Sequence, residues 1–311
     1  MGKLAFLFPG QGAQVVGMGK DFFDAYDLAK KRFAEADEAL GYSISKLCFE
    51  GPADQLQLTE HTQPAILTVS VIAAELLREE GIAPEIAAGH SLGEYSALVL
   101  AGVLPFQDAV ALVHKRGAYM QEAVPVGEGA MAAVIGLDDD TIVAVCAEAS
   151  AAGAVQAVNF NCPGQTVIAG TVKGVEQAVE LLQEKGAKKA VILPVSAPFH
   201  STLMEPAAKK LAAELDKVQL HDAAFPVVSN YTGGLQQTAA EIKANLVAQA
   251  DHPVRWIACV NTMRTFGADT YVECGPGKTL AGFNKRIDKA LTSLNVENVA
   301  SLQKTLDTLK K

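Results

Sequence analysis

The sequence predicts an α/β fold with a largely parallel sheet, interrupted by a small inserted α+β unit. Two observations predict it. Short apolar runs alternate with stretches of helical periodicity over most of the chain, as in a sheet whose strands are joined by crossover helices. Between residues 129 and 194 the rhythm changes to β-α-β-β-α-β, the order of a ferredoxin-like unit. The 311 residues suit one large domain with a smaller one attached. We therefore expect a large domain from residues 1–126 and 196–311, with residues 127–195 inserted.

The elements follow in order. Residues 4–8 read as a buried first strand that ends in the glycine-rich loop Pro9-Gly10-Gln11-Gly12-Ala13-Gln14. Residues 21–40 and 64–80 have helical periodicity. An apolar run at 86–88 reads as a strand, and a helix is expected from Glu94 through Ala101. Inside the insertion, strands are expected at 130–135, 155–160, 166–169 and 190–193, with helices at 138–150 and 172–185. Asn159-Phe160-Asn161-Cys162-Pro163-Gly164-Gln165 reads as the connection between two of these strands. Val124-Pro125-Val126-Gly127 and residues 194–198 read as hinges. The chain then resumes with a helix at 202–215, a strand at 226–229, a turn at Thr232-Gly233-Gly234 and a helix at 239–249. A further helix begins at Pro253, a strand at 271–273 leads into Cys274-Gly275-Pro276-Gly277-Lys278, and a terminal helix begins at Val299.

Composition narrows the function classes. Hydrophobic residues make up 50% and charged residues 20%, the balance of a globular protein with a sizeable core. The formal net charge is −9, and no basic run resembles a nucleic-acid or membrane footprint. The five cysteines (Cys48, Cys146, Cys162, Cys259, Cys274) are dispersed and lack CxxC spacing, which favours reduced thiols over disulfides or a zinc site. The first apolar run is too short for a signal segment, and no stretch is long enough to span a membrane. A cytoplasmic enzyme is expected.

Gly89-His90-Ser91-Leu92-Gly93 has the form of a nucleophile elbow. Its strand-turn-helix setting holds a serine hydroxyl at a helix N-terminus, where the amide after the serine faces any oxyanion formed there. The competing reading is a structural turn with a capping serine. A serine hydroxyl needs a base to take its proton. His90 adjoins Ser91, but neighbours in a sharp turn point different ways. His200 lies in an irregular, proline-bearing loop after a strand, a placement shared by catalytic histidines and by plain surface ones. A Ser-His-Asp hydrolase needs an orienting acid as well. Asp108 and Asp138 to Asp140 look like helix-start residues, and about 110 residues still follow His200, so that reading is strained. On a helical wheel at about 100° per residue, Arg116 falls in the middle of the arc made by Leu112, Ala109, Met120, Val113 and Tyr119. A guanidinium on an apolar face must meet an anion, either an internal carboxylate or a carboxylate of the substrate. The loop at Gly10-Gln11-Gly12 lacks nucleotide-binding spacing and suits donation of backbone amides to an oxyanion.

Taken together, Phe8-Pro9-Gly10-Gln11-Gly12, Gly89-His90-Ser91-Leu92-Gly93-Glu94, Arg116, Asn159-x-Asn161-x-Pro163-Gly164, Ala197-Pro198-Phe199-His200-Ser201 and Gly275-Pro276-Gly277 occur in one register. In this the chain resembles the malonyl-CoA:acyl carrier protein transacylases of fatty acid synthesis, from the first strand to about residue 290. The resemblance implies an α/β-hydrolase-like large domain with a ferredoxin-like insertion. It also implies a ping-pong acyl transfer through a malonyl ester of Ser91, with His200 as general base. Backbone amides of Gln11 and Leu92 match the oxyanion hole. Gln249 matches the residue whose main-chain carbonyl orients the histidine, so no aspartate is needed. Arg116 matches the arginine that pairs with the malonyl carboxylate. Phe199, the residue before the histidine, matches malonyl-specific members, because a bulky ring leaves little room for an α-methyl group. His90 and Asn159 are expected beside the substrate. No cofactor or metal is implied, since the phosphopantetheine is carried by the partner, acyl carrier protein, and a monomer is expected. The rival reading is a serine hydrolase or thioesterase built on the same Ser-His pair. Carrier proteins of this type are acidic, so docking calls for a local basic patch, with Lys185, Lys188, Lys189, Lys278, Lys285 and Arg286 as candidates.

Overall fold

Leu4 to Phe8 is an unbroken apolar run, and in the computed structural model it forms a strand whose last four residues are buried. The structure describes residues 2–195 and 197–310, so Ser196, at the expected second hinge, lies outside the described residues. In chain order the described strands are β1 (Lys3–Phe8), β2 (Ile86–Gly89), β3 (Gly129–Ile135), β4 (Val155–Cys162), β5 (Gln165–Thr171), β6 (Lys189–Ile192), β7 (Val227–Val228), β8 (Leu235–Gln236), β9 (Ala268–Cys274) and β10 (Thr292–Val296). They form two sheets.

The larger sheet has the order β10-β9-β1-β2-β7-β8 and is parallel except for the β7–β8 pair. Helices cover both of its faces, as a buried parallel sheet requires. One face packs on the largest core, which includes Phe6, Phe8, Ile66, Tyr95, Leu98 and Val113. The other packs on a core centred on Trp256, Tyr271, Leu7 and Ile86. The carboxyl ends of β1 and β2 lie side by side, with Phe8 opposite Gly89, so the loops after these two strands meet. That is where ligands bind in open α/β sheets.

The smaller sheet has the order β4-β5-β3-β6 and is antiparallel, with helices Asp139–Ala149 and Val172–Glu184 over a core of its own. Its strand and helix order is the expected β-α-β-β-α-β. Strand β4 is tied to the large sheet's surroundings by main-chain bonds, Phe160 N to Val254 O at 3.0 Å and Val254 N to Val158 O at 2.8 Å.

Several expected elements change. The helix at 21–40 is two helices, Lys20–Ala25 and Asp27–Leu40, separated by Tyr26 in an extended conformation. Asn159 to Cys162 belongs to β4, and the connection to β5 shrinks to Pro163-Gly164. The reason is the docking of β4 on Val254, which keeps this polar stretch extended. The helix expected from Pro253 begins at Trp256. Helices Ile44–Glu50, Ala53–Leu56 and Thr279–Ile287 and strands β8 and β10 add to the expected set. Among the described residues no helix is long and apolar enough to cross a membrane, and no metal-ligand cluster is present. All five cysteines are buried and unpaired.

Candidate active site

Strand β2 ends at Gly89 and helix Leu92–Leu100 starts at Leu92, so His90 and Ser91 alone make the turn. Ser91 takes φ 51° and ψ −108°, a strained conformation for a residue with a side chain. The tightness is steric. A Cβ on Gly89 would stand 1.9 Å from the Gly93 carbonyl carbon, and one on Gly93 would stand 2.0 Å from the Phe8 carbonyl oxygen. Asn230, in the loop after β7, clamps the elbow from below. Its Oδ1 accepts from Ser91 N at 2.6 Å and its Nδ2 donates to Gly89 O at 2.7 Å.

The hydroxyl so presented meets the expected base. Ser91 Oγ lies 2.7 Å from His200 Nε2, and His200 Nδ1 lies 2.8 Å from the main-chain oxygen of Gln249. A carbonyl only accepts, so Nδ1 carries the proton and Nε2 is free to take one from Ser91. His200 is 3% exposed and itself has a positive φ of 62°. Burial, and then the Arg116 charge, push its pKa down to about 3, so the ring is neutral near pH 7. Burial likewise lowers the pKa of His90, whose Nε2 pairs with Asn161 Oδ1 at 2.8 Å and whose ring leans on Trp256. His90 thus points away from Ser91 Oγ.

Arg116 is 1% exposed, on the buried face of helix Phe106–Glu122. Nη1 donates to Gln63 Oε1 at 2.8 Å; Nη2 donates to Gln249 Oε1 at 2.9 Å and to Ser91 Oγ at 3.1 Å. The guanidinium also lies over the Tyr95 ring, 5.3 Å from its centroid. Among the described residues no carboxylate forms a salt bridge with it. Two neutral amide oxygens therefore hold the cation in place without cancelling its charge. Desolvation lowers its pKa, the mark of a charge short of a counter-ion.

These residues open onto a cleft of about 410 Å³ lined by Gln11, His90, Ser91, Leu92, Arg116, Asn159, Phe199 and His200. Leu92 is the first residue of its helix, so its N–H has no intrahelical partner. Gln11 sits across from it in the loop after β1, with its side-chain nitrogen on Thr59 Oγ1 at 3.3 Å. Asn159 Oδ1 is shut off from solvent and has no hydrogen-bond partner among the described residues. The six candidate docking cations are all exposed, and Arg286 also ties the insertion's turn down through Pro163 O at 3.0 Å.

The structure thus gathers every site residue expected from the sequence, Gln249 at the His200 side of the cleft. It adds Gln63, Asn230 and Glu94. Glu94 is fully buried and accepts from Gln249 Nε2 at 2.7 Å, Asn230 N at 3.0 Å and Gln236 Nε2 at 2.6 Å. The reasoning that singles out Arg116, a charge on a buried helical face, applies equally to Glu94 in the apolar helix Leu92–Leu100. Asn230 lies in an irregular loop and carries no comparable signal.

A family model described as the acyl transferase domain matches residues 5–308. The malonyl CoA-acyl carrier protein transacylase of Bacillus subtilis (strain 168) is 49% identical over 312 residues, covering 100% of this chain and 98% of the relative. This chain belongs to the malonyl-CoA:acyl carrier protein transacylase family. The acyl-carrier-protein S-malonyltransferase of Burkholderia pseudomallei 1710b superposes on this transacylase with a TM-score of 0.96 at 52% identity, covering 98% of this chain and 99% of the other. A malonyl-transacylase solved in complex with its type II PKS acyl-carrier protein gives a TM-score of 0.96 at 45% identity, with coverage of 98% and 99%.

Proposed function

We propose that this acyltransferase moves the malonyl group from malonyl-CoA to the phosphopantetheine thiol of an acyl carrier protein through a malonyl ester of Ser91. The observation that carries the reading is the placement of Ser91 Oγ between a neutral His200 Nε2 at 2.7 Å and the Arg116 cation at 3.1 Å. A serine-histidine pair alone serves acyl transfer of any kind; the buried arginine beside it selects an acyl group that carries its own carboxylate.

In the first half-reaction Ser91 Oγ attacks the thioester carbon while His200 Nε2 takes its proton. The oxyanion is received by the amides of Gln11 and Leu92, with the positive end of helix Leu92–Leu100 behind the latter. Collapse breaks the carbon–sulfur bond, and His200 returns the proton to the leaving CoA sulfur. In the second half-reaction His200 takes the proton of the carrier's thiol, whose sulfur attacks the ester. Ser91 Oγ leaves and recovers a proton from His200. The main-chain oxygen of Gln249 steadies the imidazolium in both halves, the role an aspartate has in a triad. Phe199 beside the base restricts space at the α-carbon, and one methyl group there is worth about 1–3 kcal/mol of discrimination. The exposed cations Lys185, Lys188, Lys189, Lys278, Lys285 and Arg286 offer an acidic carrier its docking charge. A monomer in the cytoplasm belongs to the same reading, as do reduced thiols, which the five buried, unpaired cysteines support.

The test follows malonyl-CoA with and without acyl carrier protein. We expect a malonyl mass increment on Ser91, its absence in Ser91→Ala, and chase of the label onto the carrier. Rapid release of malonate without any carrier thiol would overturn the transferase in favour of the hydrolase.

A further inference from the structure

Glu94 is a buried charge beside the nucleophile that plays no part in the transfer described above. Glu94 lies three residues past the nucleophile, with no exposed surface, and its two oxygens receive three donors. Burial pushes its pKa up to about 6, against the pull of those donors and of Arg116. Keeping a carboxylate in such a place is costly unless a fixed set of partners compensates it. Here the partners run in one direction. Gln249 Nε2 donates to Glu94 Oε2 at 2.7 Å and to Ser91 O at 3.1 Å, while Gln249 Oε1 accepts from Arg116 Nη2 at 2.9 Å.

We propose that Glu94 is a positioning residue that sets the polarity of the Gln249 amide, and through it the presentation of Arg116 to a carboxylated acyl group. The inference rests on the malonyl-transfer reading above. An amide can sit either way round in a given space, and the two orientations differ only in which end donates. An ionised carboxylate only accepts, so it holds the NH2 end. The oxygen end is thereby turned to Arg116. With the amide reversed, an NH2 group would face the guanidinium, and an oxygen would face both Glu94 and the Ser91 carbonyl. Arg116 would lose one of the two oxygens that aim it, the other being Gln63 Oε1.

The arrangement also answers how an unneutralised cation is tolerated beside the nucleophile. Glu94 attracts Arg116 from one amide away, close enough to favour its charged form and without direct contact. A direct ion pair would occupy the donors that a malonyl carboxylate needs. The amide between them passes on the attraction and leaves the guanidinium available.

An acyl group without a carboxylate does not use the aim of Arg116, so the proposal is tested by a ratio. The efficiencies of Ser91 loading from malonyl-CoA and from acetyl-CoA are measured for the wild type, Glu94→Gln, Gln249→Leu and the double variant. Glu94→Gln keeps size and removes the acceptor-only character; Gln249→Leu removes the amide and retains the main-chain oxygen on which His200 rests. We expect each single variant to lower the malonyl-to-acetyl ratio about tenfold or more, as misaimed binding groups do. The double variant should lose no more than the worse single one, since both break the same link. Equal slowing of both substrates by Glu94→Gln would reduce Glu94 to a purely structural residue and overturn the proposal, as would losses that multiply in the double variant. If Glu94→Gln fails to fold, an unchanged ratio in Gln249→Leu overturns it alone. A wild type that forms no malonyl-Ser91 would instead sink the transfer reading itself.

Discussion

Arg116 Nη2 donates to Ser91 Oγ across 3.1 Å, so the buried cation and the nucleophilic hydroxyl are in direct contact. The same nitrogen bonds Gln249 Oε1 and its twin bonds Gln63 Oε1, which fixes the guanidinium plane relative to the serine. A malonyl ester on Ser91 would carry its free carboxylate two bonds beyond the ester carbonyl. In the transfer proposed above, selection of a carboxylate and attack on the thioester are built around this one oxygen atom.

Arg116→Ala removes that selection. Truncating one partner of a desolvated charge pair costs about 2–5 kcal/mol, so malonyl loading should fall about thirtyfold or more. Acetyl loading should be unharmed or improved, because the acetyl group brings no charge and the space near Ser91 widens. Single-turnover labelling of Ser91 with the two CoA esters checks this. Equal loss of both would contradict the clamp role.

His200 gives a prediction in pH. Its pKa, about 3, lies below the ordinary 6.5, because burial and the Arg116 charge both disfavour the imidazolium. The base form therefore persists as pH falls, and loading from acetyl-CoA should stay level from pH 8 to pH 5. A one-proton fall centred near 6.5 would show that His200 is solvated like a free histidine. In Arg116→Ala the second of these causes is gone, and the acid limb should move upward. The same shift acts on stability. The unfolded chain takes up this proton near pH 6.5 and the folded one only near 3, so His200 withdraws stability across that window as the solution is acidified.

How much of this was legible in the sequence depended on the distance over which each feature is specified. Helix Phe106–Glu122 and strand β1 declare themselves by periodicity and by an unbroken apolar run, and so did Arg116 within its helix. Ser91 was legible because a tight strand-helix turn demands glycines on both sides of it. Strand β8 has two residues and exists only through its pairing with β7. Strand β10 is half-exposed at a sheet edge and lacks clean alternation. The break at Tyr26 carries neither glycine nor proline. Gln249 was reached only through the family resemblance, since a main-chain oxygen leaves no mark on residue type. Asn230 lies 139 residues from the serine it supports, and only the folded β2–β7 pairing brings them together.

That support yields the remaining prediction. The Asn230 side chain, itself buried, bonds the two ends of the elbow, Ser91 N at 2.6 Å and Gly89 O at 2.7 Å. Asn230→Ala leaves a donor and an acceptor unpaired, at about 1–3 kcal/mol each. Urea unfolding should therefore show a loss of about 2–6 kcal/mol. The strained φ of Ser91 would no longer be held, so the maximal rate of loading should fall for malonyl-CoA and acetyl-CoA alike. Their ratio should stay near that of the wild type, because the substitution leaves every bond to Arg116 in place. A variant as stable as the wild type, or one whose substrate ratio collapses, would show that the elbow is held by its glycines alone or that Asn230 acts through the arginine.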